Sequence, residues 1–559
     1  MADTAMYTED WHTLPWDKYQ RNVFRLQQRI YRAARRGDPK QVHNLQRLLL
    51  RSWSARCLAV RRVTQDNRGK RTPGVDGVAS LDPPFRLQLA KGLRHLARWT
   101  ADPIRRCYIP KSDKGEYRPL GIATLRDRAM QTLVKLALEP EWEARFEPNS
   151  YGFRPGRSIH DAIEAIFKQI SRKPKAALDA DIAACFDKIA HQPLVEKLNT
   201  TQPVRRLVRQ WLKAGILDKD NISLPEAGVP QGGPISPLLA NIALHGMEAA
   251  LVNSYSRRRR PAVIRYADDW VALHENQTTL IEVESQAETW LAEIGLRLNQ
   301  NKTRLAHTLN EGEGQAGFDF LGFSIRQHRV GKYHTSTYSD KAGFKTLIKP
   351  SKKATQRHLH QVRQIIRQHR GGPQSALIAT LNPVIRGWAN NYRTCVAKKA
   401  FYRLDYVVDH MLLKWATYRH WHKTRWWCRN RYWQRKNGRL IFTDGRYVLA
   451  HYGDTPIMRH VKVRGDKSPF DGDWLYWASR LGRDPTKPKQ VVRLLKQQQG
   501  KCARCGLCFM TEDVMEVHHI DGNRQNYRSG NLALLHGHCH DKVHGKGAND
   551  KAPYDRGAV

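Results

Sequence analysis

This 559-residue chain is poor in several things, and each shortage narrows what it can be. Its opening run, Met1-Ala-Asp-Thr-Ala-Met-Tyr-Thr-Glu-Asp10, has neither the basic start nor the apolar core of a secretory signal. No later window supplies the ~18 uncharged apolar residues of a membrane span. Together these absences lead us to expect a soluble, cytoplasmic protein with no membrane partner. Cysteine is sparse and mostly solitary: of nine, Cys57, Cys107, Cys185, Cys395 and Cys428 stand alone, which argues against a disulfide framework. Acid is outnumbered, with 52 Asp and Glu against 95 Lys and Arg, a formal charge of +43 and a pI near 10.2. Such a chain repels itself, so a polyanion is expected in its working state, and the block Arg257 to Arg260 marks one place for contact. The length exceeds one hydrophobic core and suggests roughly three to five domains.

Against this basic background two adjacent carboxylates stand out. Tyr266-Ala267-Asp268-Asp269 lies inside the apolar run from Pro261 to Leu273, a pattern that predicts strand, tight turn, strand. Two acids at a hairpin tip repel unless a cation neutralises them, and the bland reading is a solvated tip. Upstream, 177–182 reads as a short strand with Asp181 near its end and Cys185, Phe186 and Asp187 just beyond. Three carboxylates from two strands could hold two Mg2+ ions about 3.5–4 Å apart, the arrangement that activates a 3′-hydroxyl and stabilises leaving pyrophosphate.

Further strings follow in a fixed order. They are 72–77 (Thr-Pro-Gly-Val-Asp-Gly), 108–111 (Tyr-Ile-Pro-Lys), 118–121 (Arg-Pro-Leu-Gly), 149–158, the Asp181 segment, 230–237 (Pro-Gln-Gly-Gly-Pro-Ile-Ser-Pro), the hairpin, Leu298-Asn299 with Lys302, and 320–323 (Phe-Leu-Gly-Phe). With this set the chain resembles the reverse transcriptases encoded by mobile group II introns. The resemblance implies an α/β (α+β) multidomain protein. Its parts would be an N-terminal helical extension over 1–95, right-hand fingers and palm over 96–345, a helical thumb or maturase domain over 346–450, a DNA-binding linker region over 451–495 and a small terminal module over 496–559. It further implies that Asp181, Asp268 and Asp269 bind the two Mg2+ ions. Asp179, two residues earlier on the same strand face, is set aside because the family spaces its acid five residues before an aromatic, here Phe186. Phe186 would exclude a ribose 2′-hydroxyl, so that the product is DNA. Lys111 and Arg118 would grip the nucleoside triphosphate, though each could equally be a solvated surface cation. Gln231 would line the nucleotide pocket. Lys302 would act near pyrophosphate, or else serve only as a helix-terminal cation. Residues 320–323 look like the primer grip.

Helical periodicity covers 17–36, where Val23, Leu26, Ile30 and Ala33 form a stripe ended by 37–39, and then 42–53. From Lys349 the pattern is helical and basic, over 357–367, 377–391 and 402–415. Residues 418–436 carry seven Lys or Arg and six aromatics with no acid. Arg386, Arg419, Lys423, Arg425, Arg429 and Arg431 are the candidate nucleic-acid contacts, while the tryptophans there could stack on bases or simply pack the thumb. Gly, Pro and Asp make 465–488 read as a connector.

The last module holds Cys502-x2-Cys505, His518-His519, Asn531, His536-x2-Cys539, His540 and His544. Cys502, Cys505, His536 and Cys539 can close a tetrahedral Zn2+ site, with Cys508 left over as a rival. The remaining residues resemble the HNH endonucleases, a hairpin and helix around one catalytic divalent ion, Mg2+ by expectation. In that resemblance His518, His540 and His544 hold the ion, His519 is the general base and Asn531 orients the attacking water. A purely structural, DNA-binding zinc finger is the alternative.

Taken together, the resemblance implies a multifunctional retroelement protein whose partners are an intron RNA, held as a ribonucleoprotein, target DNA and deoxynucleoside triphosphates. It would assist splicing, nick target DNA and prime reverse transcription from the nick. Two other readings remain: a non-catalytic splicing cofactor, or the reverse transcriptase of a non-intron element.

Overall fold

In the computed structural model the described residues are 10–110, 117–219, 221–311, 316–331, 343–436, 438–510 and 513–544. The N-terminal layer begins with the helix Trp16–Arg35, whose buried stripe includes Val23 and Ile30. Asp38 caps the next helix, Pro39–Arg51, by accepting from the Gln41 N–H at 2.9 Å. An extended Ser52 then separates it from Trp53–Arg61. This layer packs on Leu125–Glu143, a helix buried on every side. One continuous core runs from Trp11 through Leu133 and Trp211 to Leu298, so the N-terminal helices share their interior with the segments that follow them.

At the centre is a four-stranded antiparallel sheet in the order Ala262–Tyr266, Asp269–His274, Ala176–Asp181, Arg304–His307. Its side chains alternate between two cores: Leu178, Ala180, Trp270 and Ala272 face one, while Ala177, Val271, Leu273 and Ile264 face the other. Helices Gln277–Glu293 and Ile159–Ile170 contact the sheet. Burial on both faces explains why these strands read as near-continuous apolar runs, and it leaves the strand ends as the place for acids. A second four-stranded sheet has the order Tyr117–Ile122, Ile104–Pro110, Ile216–Asp218, Asn221–Ser223.

Beyond it, Phe318–Phe320 turns through Leu321 and Gly322 into Phe323–Arg329, and the helices Lys352–Gln368, Gln374–Tyr392 and Lys398–Arg419 follow. Their core continues to Trp477. The connector expected over 465–488 contains the helix Trp474–Leu481, whose Arg480 reaches the helix Ile159–Ile170. The buried Asp161 accepts from Arg480 Nη2 at 2.6 and 2.7 Å and from the Val463 N–H at 2.8 Å. Paired cations and N–H donors hold that carboxylate far below the usual range despite its burial. A third, small core starts at Leu481 and ends at Cys539. Among the described residues no helix is long and apolar enough to cross a membrane.

Candidate functional site

The hairpin forms where the alternation places it, with Tyr266 opposite Asp269 and a two-residue turn of Ala267 and Asp268. Ala267 adopts φ 57°, the left-handed conformation such a turn requires. Asp181 ends the neighbouring strand directly opposite Asp269, and the Ile182 N–H donates to the Asp268 carbonyl at 3.3 Å. All three acids thus meet at one end of the sheet.

Burial and the Asp181 charge raise Asp268, partly offset by Arg118 and Lys302. Burial, Asp268 and Asp181 push Asp269 up to about 7. Lys302 Nζ lies 2.8 Å from Asp181 Oδ2, and this hydrogen bond raises the lysine. Asp179 faces Arg304 and Val271 further down the strand and is pushed to about 7 by burial, Asp269 and Asp319. A half-buried set of carboxylates crowded at one sheet end is a donor set suited to hard divalent cations.

Around them, half-buried Phe186 follows Asp181 in a short helix, Cys185–Lys188, with its ring edge-on to Phe153 at 6.1 Å. The Gln231 carbonyl accepts from the Gly121 N–H at 2.6 Å, tying the 230–237 loop to the strand that carries Arg118. Gly232, at φ 117°, lies so close that a Cβ there would stand 2.9 Å from the Gly121 carbonyl oxygen. Arg118 is exposed, and Lys111 lies outside the described residues.

The six basic residues singled out in the thumb divide. Arg386, Lys423, Arg425 and Arg431 are exposed. Arg419 and Arg429 are engaged within the protein. Arg419 Nη1 donates to the carbonyls of Arg370 and Gly372 at 2.8 and 2.7 Å, and Arg429 makes a two-pronged pair with Asp409 at 2.8 and 2.5 Å while lying over the Trp433 ring. The tryptophans divide too: Trp421 and Trp426 are 86% and 74% exposed, whereas Trp433 is buried.

In the terminal module, Met515–His519 pairs with Leu532–His536 and leads into the helix Gly537–Val543. Two sets of ligand atoms converge, each within 4.8 Å: Cys502, Cys505, His536 and Cys539 in one, His518, His540 and His544 in the other. Cys508 lies outside both. The three palm acids do not form so tight a set. Burial and the neighbouring His540 and His519 lower His518, favouring the neutral ring that ligates metals.

Two carboxylates were missed in the sequence. Glu516 Oε2 lies 2.7 Å from His540 Nδ1, and Asp513 Oδ2 lies 3.3 Å from His536 Nε2, both in the position of groups that orient a ligating imidazole. The signal for Glu516 was its place two residues before His518 on one strand face. Asn531 is engaged within its own loop. Its amide donates to Asp521 at 2.8 Å and to the Asn526 carbonyl at 3.0 Å, and its Oδ1 accepts from the Asp521 N–H, so it holds the loop after His519 in shape.

Three family descriptions match the chain: "N-terminal domain of reverse transcriptase" over residues 11–93, "Reverse transcriptase (RNA-dependent DNA polymerase)" over 109–325, and "Group II intron, maturase-specific domain" over 355–433. Among curated relatives, Protein YkfC of Escherichia coli is 32% identical over 349 residues, 55% of this chain and 89% of that protein. Maturase-like protein 1 of Euglena gracilis is 27% identical over 71% of this chain and 80% of its own length. Group II intron-encoded protein LtrA of Lactococcus lactis is 36% identical over 31% of this chain, but the match spans only 29% of LtrA.

Proposed function

Because the chain belongs to the group II intron reverse transcriptase and maturase family, we propose that it copies RNA into DNA at the palm acids and nicks target DNA at its terminal module. The nick then primes reverse transcription, so that the intron RNA bound by the thumb is inserted by retrohoming. The single observation that carries the polymerase half is the meeting of Asp181, Asp268 and Asp269 at one sheet end, flanked by Lys302 and within reach of the Arg118 charge.

Mg2+ bound by these acids would lower the barrier to attack by the primer 3′-hydroxyl and to departure of pyrophosphate. The residues of the chain do the rest. Asp181 and Asp268 bind, and Asp269 supports. Arg118 and Lys111 bind the triphosphate, and Phe186 and Gln231 shape the pocket for a deoxynucleotide. Lys302, now paired with Asp181, would contact phosphate once that carboxylate is engaged by metal.

For the terminal module, three thiols and one imidazole form the donor set of a structural Zn2+. The three-histidine set, with Glu516 behind His540, would hold one divalent ion, leaving His519 to take a proton from water. What supports a nuclease over a simple zinc finger is this second converged set, which a structural finger has no need of. Exposed Arg386, Lys423, Arg425 and Arg431, with Trp421 and Trp426, are the surface we assign to RNA. The ribonucleoprotein would work in the cytoplasm, associated with the nucleoid when on DNA.

The deciding experiment compares the parent with Asp268→Ala and His519→Ala in two assays: extension of a DNA primer on an RNA template, and nicking of target DNA. The expected result is extension lost only in Asp268→Ala, by about 1,000-fold or more, and nicking lost only in His519→Ala, by about 100-fold or more. A parent that promotes splicing but extends nothing would replace the polymerase reading with that of a splicing cofactor.

A further inference from the structure

Behind the acidic turn sits a charge that the chemistry above does not use. Arg265, the last residue but one of the strand Ala262–Tyr266, is only 4% exposed. Its Nη1 donates to the Ala267 carbonyl at 3.2 Å and to Asn241 Oδ1 at 3.3 Å, while its Nη2 is buried without a partner. The main chain of Arg265 is fixed as well, donating to the Asn149 carbonyl and accepting from the Tyr151 N–H, both at 2.9 Å. Asn241, 2% exposed, donates in turn to the Gly152 carbonyl at 2.8 Å. Gly152 presses on the same turn, since a Cβ on it would stand 2.3 Å from the Ala267 nitrogen.

Two buried contacts, the Arg265 guanidinium and the Gly152 backbone, therefore converge on Ala267, a residue with a Cβ held at a positive φ, and Asn241 ties the two together. A guanidinium buried with one edge unpaired weakens the fold, and burial correspondingly lowers Arg265 while Glu147 supports its charge. Core packing alone would be served better by an apolar side chain of similar volume. What the arginine adds is a directional grip on one carbonyl, and that carbonyl immediately precedes Asp268.

We propose that Arg265, anchored by Asn241, is a positioning residue of the polymerase site. By holding the Ala267 carbonyl it fixes the left-handed turn, and with it the direction in which the Asp268 carboxylate leaves the hairpin. This inference rests on the polymerase reading above. A displaced metal-binding acid weakens ion binding and misaligns the reacting groups, whereas a merely loosened core lowers the melting temperature and the folded fraction.

The test uses the full-length chain with Arg265→Met, Arg265→Lys and Asn241→Ala. It measures kcat, KM for nucleotide, affinity for primer–template and the Mg2+ concentration giving half-maximal extension, each corrected for folded fraction. Arg265→Met is expected to lose about 100-fold in kcat. Its Mg2+ requirement should rise several-fold at unchanged primer–template affinity. Arg265→Lys, which keeps a donor and the charge, should recover part of the loss, and Asn241→Ala should fall between. Parent-like kcat and Mg2+ dependence in Arg265→Met, or no recovery in Arg265→Lys, overturns the proposal. If Arg265→Met does not fold, Asn241→Ala decides: a raised Mg2+ requirement supports the grip, and an unchanged one sinks it. A parent that extends no primer defeats the polymerase reading itself, an outcome distinct from an active parent with indifferent variants.

Discussion

In the palm, Asp181, Asp268 and Asp269 project from the ends of strands whose bodies are packed between two large cores. In the terminal module, Cys502 and Cys539 are themselves two of the ten buried residues of the core. The palm strands are thus held by their own packing and bear the acids as a burden, with Asp269 pushed to about 7 by burial and its neighbours. The module has too little apolar interior to stand without its ligands joined. One site is carried by its fold, and the other is its fold. Metal should therefore be needed for activity in the palm and for structure in the module.

The largest effect should come from breaking the module. Cys502→Ser removes one of four ligands from a site type that contributes about 10 kcal/mol or more of folding energy. Zinc content should fall from one per chain to none, limited proteolysis should open the chain beyond Leu481, and nicking should cease, while primer extension stays within about twofold of the parent. Equal loss of extension would end the distinction between the two regions.

Next in size is the contact that joins them. Arg61, 5% exposed, pairs with Asp541 at 3.0 Å and Asp66 at 3.5 Å. Arg61→Met strands those carboxylates at a cost of about 3–5 kcal/mol. The expected readout is faster proteolysis of the terminal module at unchanged zinc content. An unaltered cleavage rate would show that the contact holds nothing.

Asp269→Asn should stabilise the protein, the opposite of what a ligand variant does in the module. The folded-state value of Asp269, about 7, exceeds the ~3.9 of an unfolded chain. Between these values the folded state binds more protons, so its stability falls as pH rises, and above pH 7 the penalty is complete. The variant's melting temperature should exceed the parent's by a few degrees at pH 8, and the gap should shrink toward zero near pH 4. Mg2+ should narrow it at pH 8 by stabilising the parent. A gap independent of pH would remove the charge burden from the comparison.

The smallest effects separate two arginines of the thumb. Arg429→Ala, losing its pair with Asp409 and its place over Trp433, should cost about 1.5–3 kcal/mol in thermal unfolding. Arg425→Ala should leave stability within about 0.5 kcal/mol. It should weaken RNA binding and lower the salt slope of log K by about one.

The local parts of this molecule were legible in the sequence. Alternation around Asp268 and Asp269 predicts the hairpin, the 3.6-residue periodicity predicts the first helix, and ligand spacing gathers Cys502, Cys505, His536 and Cys539. What escaped were relations across distance. Nothing local marks Arg429 as spent on Asp409, or Arg419 on the carbonyls of Arg370 and Gly372, because a basic residue reads the same whether its partner is a phosphate or an acid one helix away. The helix Trp474–Leu481 was hidden by flanking Gly, Pro and Asp, although Trp477 within it is buried. The bond by which the Asn531 amide closes the loop to Asp521 was equally hidden in the sequence.

The bond between Arg61 and Asp541 also sets a clock. Its partners are 480 residues apart in sequence, and Gln20 and Asp513, joined at 3.1 and 3.2 Å, are 493 apart. At ribosomal speeds of about 5–20 residues per second, the N-terminal helices wait roughly 25–100 s for the acids that complete them. Through that interval the nascent chain presents a strongly basic, half-finished surface, and a polyanion within reach can bind it before the last module arrives to close the structure.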